Sequence, residues 1–264
     1  MKISEIIEIL EEWADPCLMD DWDNGGLQYG SMDQEVKGIL IALDVTEEVL
    51  EYAIRSGSNL IISHHPLIFK GVKDLSLSTH QGRMAYKIIK NDIGIYCAHS
   101  SLDLAPGGVS DVLANEFGIL NGTPLRVHEK SSHYGILGYG RVGDIESVDL
   151  ETLAKRVKKK LGVEVLRVYG ETKDPITRLA VCGGSGADFI IDAAFSKAQA
   201  YITGDIKYHD AQLAKELGIV LIDATHYHTE KPVLFAVKNR LRDKMLEEMN
   251  LEIYEGPTFA VKHY

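Results

Sequence analysis

The chain has 264 residues and a formal net charge of −11, with 45% hydrophobic and 25% charged residues. This composition is typical of a globular protein that buries a sizeable core in one large or two small domains. The acidic balance excludes a general nucleic-acid binder, which needs a basic surface to neutralise phosphates, but it permits a local basic pocket.

The cysteines and the N-terminal segment bear on cellular location. Cys17, Cys97 and Cys182 are widely spaced, odd in number and form no CxxC pair. This pattern favours reduced thiols over a disulfide framework or a zinc-thiolate site. The first 16 residues are amphipathic and acidic, unlike a signal peptide, and no apolar run approaches the roughly 20 residues that span a bilayer. We therefore expect a cytoplasmic protein without a membrane anchor.

The first half of the chain predicts alternating helices and strands. Apolar spacing predicts a first helix from about Glu5 to Trp13, with Ser4 as its N-cap. An Asn-Gly-Gly turn signal follows at 24–26. We then predict, in chain order, a strand at 38–43, a helix closed by Gly57, a strand at 59–63, a helix near 80–90 and a strand at 94–98.

The second half repeats this plan. The segment that begins RLAVCGGSGADF at 178 matches the segment that begins ILIALDVTEEVL at 39 as strand, turn, helix, strand and polar loop. Aligning Asp44 with Ser185 also aligns Ser63 with Gly204, because Ser63 lies 19 positions after Asp44 and Gly204 lies 19 positions after Ser185. The strands at 94–98 and 218–223 then correspond. Several matching elements in one order predict a duplicated α/β unit.

We therefore predict an α/β fold of two intertwined α/β repeats with mixed β-sheets. The first repeat is expected at 1–127, completed by the C-terminal residues 231–264, and the second at 128–230. The segment 133–170 adds a strand, a helix and a strand. The chain is expected to finish with a helix at 233–250 and a strand from 251 onwards.

Polar residues follow four of the predicted strands. In α/β sheets, ligands bind beyond the carboxyl ends of the strands. Asp103, Asp205 and Glu230 lie in these four loops, and so do six of the ten histidines: His64, His65, His99, His209, His226 and His228. Imidazole and carboxylate without cysteine form the ligand set of zinc, manganese or iron. This many donors suits two divalent metal ions with a bridging carboxylate.

The spacing of His226 and Glu230 is compatible with two local structures. Four residues separate them, as on one face of a helix. Pro232 argues against that arrangement, because the residue before a proline avoids the helical region and proline favours the first position of a helix. We therefore expect His226 to leave the strand and Glu230 to stand just before a helix.

Four motifs, in this order, carry a family resemblance: SHHPLIF, AHSSLD, GDIKYHDA and HYHTE. Together with DNGGLQYG near the front, they make the chain similar to the GTP cyclohydrolase I type 2 homologues, the Ngg-interacting-factor-three-like family, over nearly its whole length. The resemblance implies five ligands of a dinuclear metal centre: His64, His65, Asp103, His226 and Glu230. It also implies subunits assembled into a toroidal homohexamer built from trimers. The chain lacks the large central insertion of some members.

Two residues depart from the family pattern. Thr225 stands where a glycine is commoner, and this difference affects the conformation of the loop before His226. His228 stands where a small residue is usual, and it adds either a further ligand or a group that moves protons.

Four of the candidate ligands also have a purely structural interpretation. The pair His64-His65 can end a strand with one solvated and one core ring. Asp103 can be an Asx-turn residue, and Glu230 can interact with the dipole of a following helix. The convergence of four polar loops favours metal binding over these alternatives.

The remaining polar residues have weaker assignments. His99, His209 and His228 are better suited to orienting ligands or moving protons than to direct coordination. Asp205 and Lys207 either bind substrate or occupy a solvated turn. The glycine-rich segment 182–188 either holds an anion with its N–H groups or forms a tight turn between strand and helix.

Two functions from different classes fit these residues. The first is a metal-dependent hydrolase, in which His99 or His209 moves protons and activated water attacks carbon or phosphorus. The family resemblance implies GTP as its substrate, with opening of the imidazole ring and loss of formate, while a phosphoester or an amide suits the same metals. The alternative is a non-catalytic metal-binding or scaffold protein that stores or delivers metal or binds other proteins.

Overall fold

The computed structural model describes residues 1–119, 121–129, 135–246 and 248–256. They divide into two compact units: Met1–Leu102 with the described residues from Leu234 onwards, and Asp103–Val233. Each unit combines helices with a mixed five-stranded sheet formed by its described residues. The predicted α/β class with mixed sheets is confirmed.

The strands of the described residues range from two to ten residues in length. In chain order they are β1 (Gly26–Tyr29), β2 (Gly38–Ala42), β3 (Leu60–Ser63), β4 (Gly94–Cys97), β5 (Arg126–Val127), β6 (Gly138–Tyr139), β7 (Arg141–Val148), β8 (Arg167–Tyr169), β9 (Ile176–Ser185), β10 (Ala200–Gly204), β11 (Val220–Asp223) and β12 (Asn250–Ile253). The strands β5 and β6 form a separate hairpin-like pair.

Helices alternate with these strands. In chain order they are α1 (Ile3–Glu11), α2 (Glu47–Ser56), α3 (His80–Lys90), α4 (Ser100–Leu104), α5 (Val109–Glu116), α6 (Leu150–Leu161), α7 (Ile190–Phe195), α8 (Tyr208–Leu217), α9 (His226–Glu230) and α10 (Val233–Lys244). Short 3₁₀ turns lie at Pro16–Leu18 and Ala187–Phe189. Across the described part of the chain, no helix has both the length and the apolar character required to cross a membrane.

The sheet of the first unit has the strand order β1-β4-β3-β2-β12. β12, β2, β3 and β4 run parallel, and β1 is antiparallel to β4. β2, β3 and β4 are buried along their whole length, which explains their continuous apolar sequences. α2 packs Val49, Leu50 and Ala53 into this core. The helix begins where the Thr46 hydroxyl accepts from the Val49 amide, and it ends at Gly57 with φ +76°.

The sheet of the second unit has the order β7-β9-β10-β11-β8. β9, β10 and β11 run parallel, and the two edge strands β7 and β8 are antiparallel to their neighbours. α6 buries Leu153 and Val157 in the same core as Val181 and Ile202. The parallel centre places the carboxyl ends of β9, β10 and β11 at one edge of the sheet.

The two sheets repeat four strands in the same order. β2, β3 and β4 correspond to β9, β10 and β11, and the antiparallel strand beside β4 corresponds to the one beside β11. The fifth strand differs: β12 is parallel to β2, while β7 is antiparallel to β9. The predicted duplication is therefore present, with a different strand completing each sheet.

The first helix begins two residues earlier than the sequence predicts. α1 starts at Ile3, so Ser4 is not its cap. The amides of Ile3 and Ser4 donate to the carbonyl oxygens of Gln34 and Met32, at 2.9 and 3.0 Å. A neighbouring loop thus satisfies the first amides of the helix, and no serine cap is required.

The last predicted elements are shorter than expected. α10 ends at Lys244 rather than near residue 250, and β12 occupies only Asn250–Ile253. The predicted strand extends to residue 264, but 257–264 lie outside the described residues.

Candidate metal centre

The adjacent histidines of the first unit lie where β3 ends. The His64 and His65 amides donate to the carbonyls of Ala42 and Leu43, at 3.2 and 2.8 Å, so the pairing with the β2 strand continues beyond β3. The chain bends at both residues. The two imidazole centroids are 5.0 Å apart, so both rings lie on the same side of the strand end. An extended chain would have pointed them to opposite faces.

A third imidazole joins this pair from the next strand. His99 follows β4, and its ring centroid is 5.2 Å from that of His64 and 5.5 Å from that of His65. One ligand nitrogen from each of the three rings lies within 4.8 Å of the others. His64 is buried, and the other two are partly buried. We call His64, His65 and His99 the histidine cluster.

Each ring of the histidine cluster is held through its Nδ1 atom. The oxygen partners are the Ala98 carbonyl for His64 at 2.9 Å, Asp44 for His65 at 2.8 Å and Asp23 for His99 at 2.8 Å. Carbonyl and carboxylate oxygens accept, so Nδ1 carries the proton and the ring lone pair is on Nε2. Histidines that bind metals are oriented in this way by outer hydrogen bonds.

Asp23 is anchored by several hydrogen bonds. Its side chain is fully buried and accepts from the His99 ring, from the Ser100 hydroxyl at 2.6 Å and from the Ser100 amide at 3.0 Å. Burial alone would raise the pKa of Asp23, but the hydrogen bonds from His99 and Ser100 outweigh it and hold the pKa well below its usual value. Asp23 is therefore ionised and fixes the orientation of His99.

Two candidate ligands of the second unit, His226 and Glu230, follow β11. His226 begins α9 and Glu230 ends it, and Glu230 is buried. The His226 Nδ1 atom is 2.8 Å from Asp205, and its Nε2 atom is 3.1 Å from Oε2 of Glu230. The carboxylate of Asp205 comes from the loop after β10. Neighbouring strand ends thus orient this imidazole, as in the first unit.

The structure corrects the predicted backbone at this point. His226 and Glu230 do share one face of a helix, α9, which the proline was expected to prevent. Lys231 still has helical φ and ψ, and its amide donates to the Tyr227 carbonyl at 2.9 Å. Pro232 lacks an N–H and therefore ends this single turn instead of preventing it.

The glycine-rich loop after β9 packs against these ligands. A Cβ atom on Gly184, which has φ +67°, would overlap Oε1 of Glu230 and lie 3.2 Å from Nε2 of His226. The Gly184 amide donates to the Thr229 hydroxyl at 2.9 Å, and the Gly186 amide donates to Thr203 at 3.0 Å. Close approach of the backbone to Glu230 and His226 therefore explains the glycine at 184, and the Gly184 and Gly186 amides donate to threonine hydroxyls.

Two residues beside His226 have unusual backbone conformations. Asp205 has φ +58°, and Thr225 has φ +62° with ψ 153°. A β-branched residue rarely adopts such angles, which explains the preference for glycine that the resemblance implies at position 225. The Thr225 hydroxyl is 2.7 Å from Nδ1 of His228, so the two departures from the family pattern contact each other. Burial lowers the pKa of His228, and nearby Lys231 adds to the effect.

Two carboxylates of the second unit create a negative potential. Asp103 lies in α4, the short helix that follows His99, and is partly buried. Burial raises the pKa of the Cys182 thiol to about 12, and the charges of Asp103 and Glu230 add to this effect. The thiol therefore stays protonated, and the carboxylates favour a cation in their vicinity.

Two other predicted residues lie in exposed positions. His209 is on α8, with its Nδ1 atom 3.0 Å from the side chain of Gln212. Among the described residues it joins no group of metal-binding side chains. Lys207 is exposed and precedes α8 as its N-cap. The predicted proton-transfer role of His209 stays a prediction.

The chain matches the family model described as Duf34/NIF3 (NGG1p interacting factor 3) over residues 1–258. It belongs to this family. It is 36% identical to the "GTP cyclohydrolase 1 type 2 homolog" of Clostridium perfringens over 93% of each chain, and 38% identical to the protein of the same name from Nostoc sp. over 95% of each chain. The crystal structure of a Bacillus cereus protein related to NIF3 has a TM-score of 0.93 and 28% identity, covering 100% of this chain and 99% of that one.

In this Duf34/NIF3 protein, two orienting residues were not foreseen from the sequence. Asp44 follows the predicted strand at 38–43, so the rule that strand ends carry ligands would have selected it. Asp23 precedes β1, and only the antiparallel pairing of Gly26 with Cys97 places that end of β1 beside the end of β4. A sequence pattern gives no signal for this pairing direction.

The donor set of the Duf34/NIF3 chain fits divalent ions. Since Nδ1 of His226 donates to Asp205, its Nε2 lone pair faces a Glu230 oxygen 3.1 Å away. Two acceptors repel at this distance unless a proton or a cation accompanies them. The same distance suits two donors that each lie about 2.0–2.2 Å from one ion. The imidazole and carboxylate groups of each unit can therefore bind a metal ion.

Proposed function

We propose that this Duf34/NIF3 protein is a dinuclear metal-dependent hydrolase that acts on a nucleotide or a related small molecule. The proposed ligands of its two divalent ions are His64, His65, Asp103, His226 and Glu230. Their assignment to one pair of ions comes from the motif pattern. The main support from the structure is the histidine cluster, in which every Nδ1 atom is held by an oxygen acceptor.

The ions and the protein have separate roles in this proposal. Bound zinc, manganese or iron ions would polarise the substrate and lower the pKa of a water molecule. Asp44, Asp205 and the Ala98 carbonyl keep three imidazoles in the tautomer whose Nε2 binds a cation. The carboxylates Asp103 and Glu230 offset the positive charge.

We assign the proton transfer to His99. Its Nδ1 atom is held by ionised Asp23, so its Nε2 atom can accept a proton from attacking water and return it to the leaving group. Asp23 also stabilises the imidazolium ring that forms after the first transfer. Since Ser100 fixes Asp23, the His99 ring keeps the same orientation in both proton transfers.

The first substrate to test is GTP. The relatives from Clostridium perfringens and Nostoc carry the name "GTP cyclohydrolase 1 type 2 homolog", and this is the support for GTP in this chain. Phosphoesters and amides complete the panel, because the same donor set suits their hydrolysis.

The proposal is tested by removing metal with a chelator and restoring zinc, manganese or iron one at a time. We expect turnover of at least one substrate in the panel to return with metal. His99→Gln should keep its bound metal and lose turnover at least about 100-fold, the usual contribution of a general acid or base. His209→Gln tests in the same way the other histidine that is predicted to transfer protons. Full metallation without turnover of any substrate would instead favour a metal store or a scaffold.

We also propose that the subunits form a homohexamer and that the protein acts in the cytoplasm. The resemblance supports the ring assembly, and the spacing of the cysteines supports a reducing compartment. Light scattering should give six times the 29.2 kDa mass of one chain. A mass equal to one chain would contradict the assembly, and recovery in a membrane or exported fraction would contradict the location.

A further inference from the structure

Two exposed aromatic rings stand beside the histidine cluster. Trp22 is 58% exposed and Phe69 is 48% exposed. Their ring centroids are 6.1 Å apart with an angle of 51° between the planes. The ring of His99 makes edge contacts with both, at 5.7 Å from Trp22 and 6.4 Å from Phe69. We call Trp22 and Phe69 the aromatic pair.

Hydrogen bonds to segments distant in sequence hold the backbone beside each ring of the aromatic pair. Asp23, next to Trp22, is fixed by the His99 ring and by Ser100. The Asn24 side chain donates to the carbonyl of Ile68, next to Phe69. Gln28 donates to the same carbonyl at 3.2 Å and accepts from the Ile68 amide at 3.1 Å. Both rings are therefore presented by anchored segments.

Packing within the chain does not account for this arrangement. Exposed apolar surface that is not needed costs free energy, and two large rings in contact form a continuous apolar patch. The patch borders the nitrogen atoms proposed to bind metal and to transfer protons. Flat aromatic rings at such a position are the usual means of binding another flat ring, since every heterocycle has a π-face.

Phe69 also lines a cavity. It has a volume of about 380 Å³, within the range of small-molecule sites. Its walls are mainly apolar and include Phe69, Leu75 and Met84, with Lys70 and His80 as polar members. A ligand that binds against Phe69 therefore has room to extend away from the histidine cluster.

We propose that the aromatic pair binds a planar heterocyclic ring of the substrate and so determines which small molecules reach the histidine cluster. This inference rests on the proposed function, because it concerns the substrate of the same site. The aromatic pair acts by stacking and is separate from the metal ligands. Its removal should therefore weaken binding of aromatic ligands and leave metal binding unchanged.

The test compares two probes that differ in the aromatic base, adenosine 5′-monophosphate and ribose 5-phosphate. Isothermal titration calorimetry with the metal-loaded protein gives the Kd of each, and elemental analysis gives the metal content. We expect the nucleotide to bind at least about tenfold more tightly than the sugar phosphate. Trp22→Ala and Phe69→Ala should each remove most of this difference, since a stacked base typically contributes about that factor. Phe195→Ala is the matched control, because Phe195 is 80% exposed on α7 of the other unit.

The outcomes separate this inference from the proposed function. Equal binding of both probes, or unchanged nucleotide binding in both aromatic variants, would overturn the aromatic pair as a ring site even if the protein hydrolyses other substrates. Loss of the preference in Phe195→Ala as well would also overturn it. A preference that depends on Trp22 and Phe69 in a protein that holds no metal would support the inference and contradict the proposed hydrolase. A variant that changes only the light-scattering mass would identify the pair as a subunit contact and overturn the proposal.

Discussion

Each unit holds an imidazole at one strand end with a carboxylate from the neighbouring strand end, but the two units use different strands. In the first unit, Asp44 after β2 holds His65 after β3. In the second, Asp205 after β10 holds His226 after β11, which is one strand further along the repeat. The position equivalent to His226 in the first unit carries His99, whose partner Asp23 comes from before β1.

The two repeats have kept the location of their polar groups but differ in which groups stand there. Both repeats keep the carboxyl edge of their parallel strands as the place for polar groups, because that edge is where strands end and loops can vary. The first unit concentrates three imidazoles there. The second places one imidazole beside a buried carboxylate, and its glycine-rich loop leaves space for that carboxylate. Nitrogen donors thus predominate in the first unit, while the second combines a nitrogen donor with a carboxylate.

The largest effect should follow removal of a cluster ring. His64→Ala deletes a buried imidazole that the Ala98 carbonyl holds, and we expect metal affinity to fall more than about 100-fold, beyond the effect of losing an orienting partner. Metal affinity is measured by competition with a chromophoric chelator. His209→Ala, at an exposed position on α8, is the control and should bind metal like the parent. Equal affinities in the two variants would contradict the assignment.

Both units orient an imidazole with a carboxylate, and removal of these carboxylates tests their role. Asp44→Ala and Asp205→Ala should each lower metal affinity about 10–100-fold, because His65 and His226 lose the acceptor that fixes their tautomer. The corresponding asparagine variants should recover part of the affinity, since an amide oxygen still accepts from Nδ1. Asp33→Asn, at an exposed acid paired with Lys2, should have no effect. Normal metal binding by either alanine variant would contradict the conclusion that both units orient an imidazole with a carboxylate.

A substitution at Gly184 tests whether the glycine-rich loop after β9 leaves space for Glu230. Gly184→Ala should lower metal affinity about tenfold, because its Cβ would displace Glu230 and disturb the orientation of His226. Gly162→Ala is the matched control: it has φ +71°, and its Cβ would meet no other atom within 4 Å. Both variants should lose about 1–2 kcal/mol of stability from the left-handed backbone. A loss of metal affinity in both would attribute the effect to backbone strain and not to contact with the ligands.

The smallest effect concerns the pH dependence of stability in the first unit. The pKa of Asp23 is lowered overall, since hydrogen bonds with His99 and Ser100 outweigh burial. Below about pH 4 the unfolded chain therefore binds a proton at this residue while the folded chain does not, and stability falls as the pH falls. In Asp23→Asn this contribution is absent. Urea unfolding of the metal-free protein between about pH 3 and 5 should show a slope smaller by up to one proton, and identical slopes would contradict the assignment.

Much of the fold was predictable from the sequence because its signals are local. Continuous apolar runs predicted the buried parallel strands, and α2 ends at Gly57 as predicted. The repeat was detectable from the order of elements alone. The start of α1 was missed because carbonyls from residues 32 and 34, distant in sequence, satisfy its first amides.

The candidate site was predictable in residue type but not in detail. The histidines and carboxylates were selected because they follow strands, and the structure places three of those imidazoles together. The roles of Asp23 and Trp22 depend on the antiparallel pairing of β1, which no local pattern encodes. The positive φ of Thr225 and the single turn of α9 run against the local preferences of a threonine and of a residue before proline.

In the proposed function, His64, His65, Asp103, His226 and Glu230 hold two metal ions. Anomalous diffraction from crystals of the protein grown with manganese or zinc tests it most directly. The account predicts two anomalous peaks per chain, with His64 and His65 among the ligands and with His226 and Glu230 among the ligands. Peaks bonded to other residues, or fully occupied crystals in which these side chains bind no ion, would contradict it.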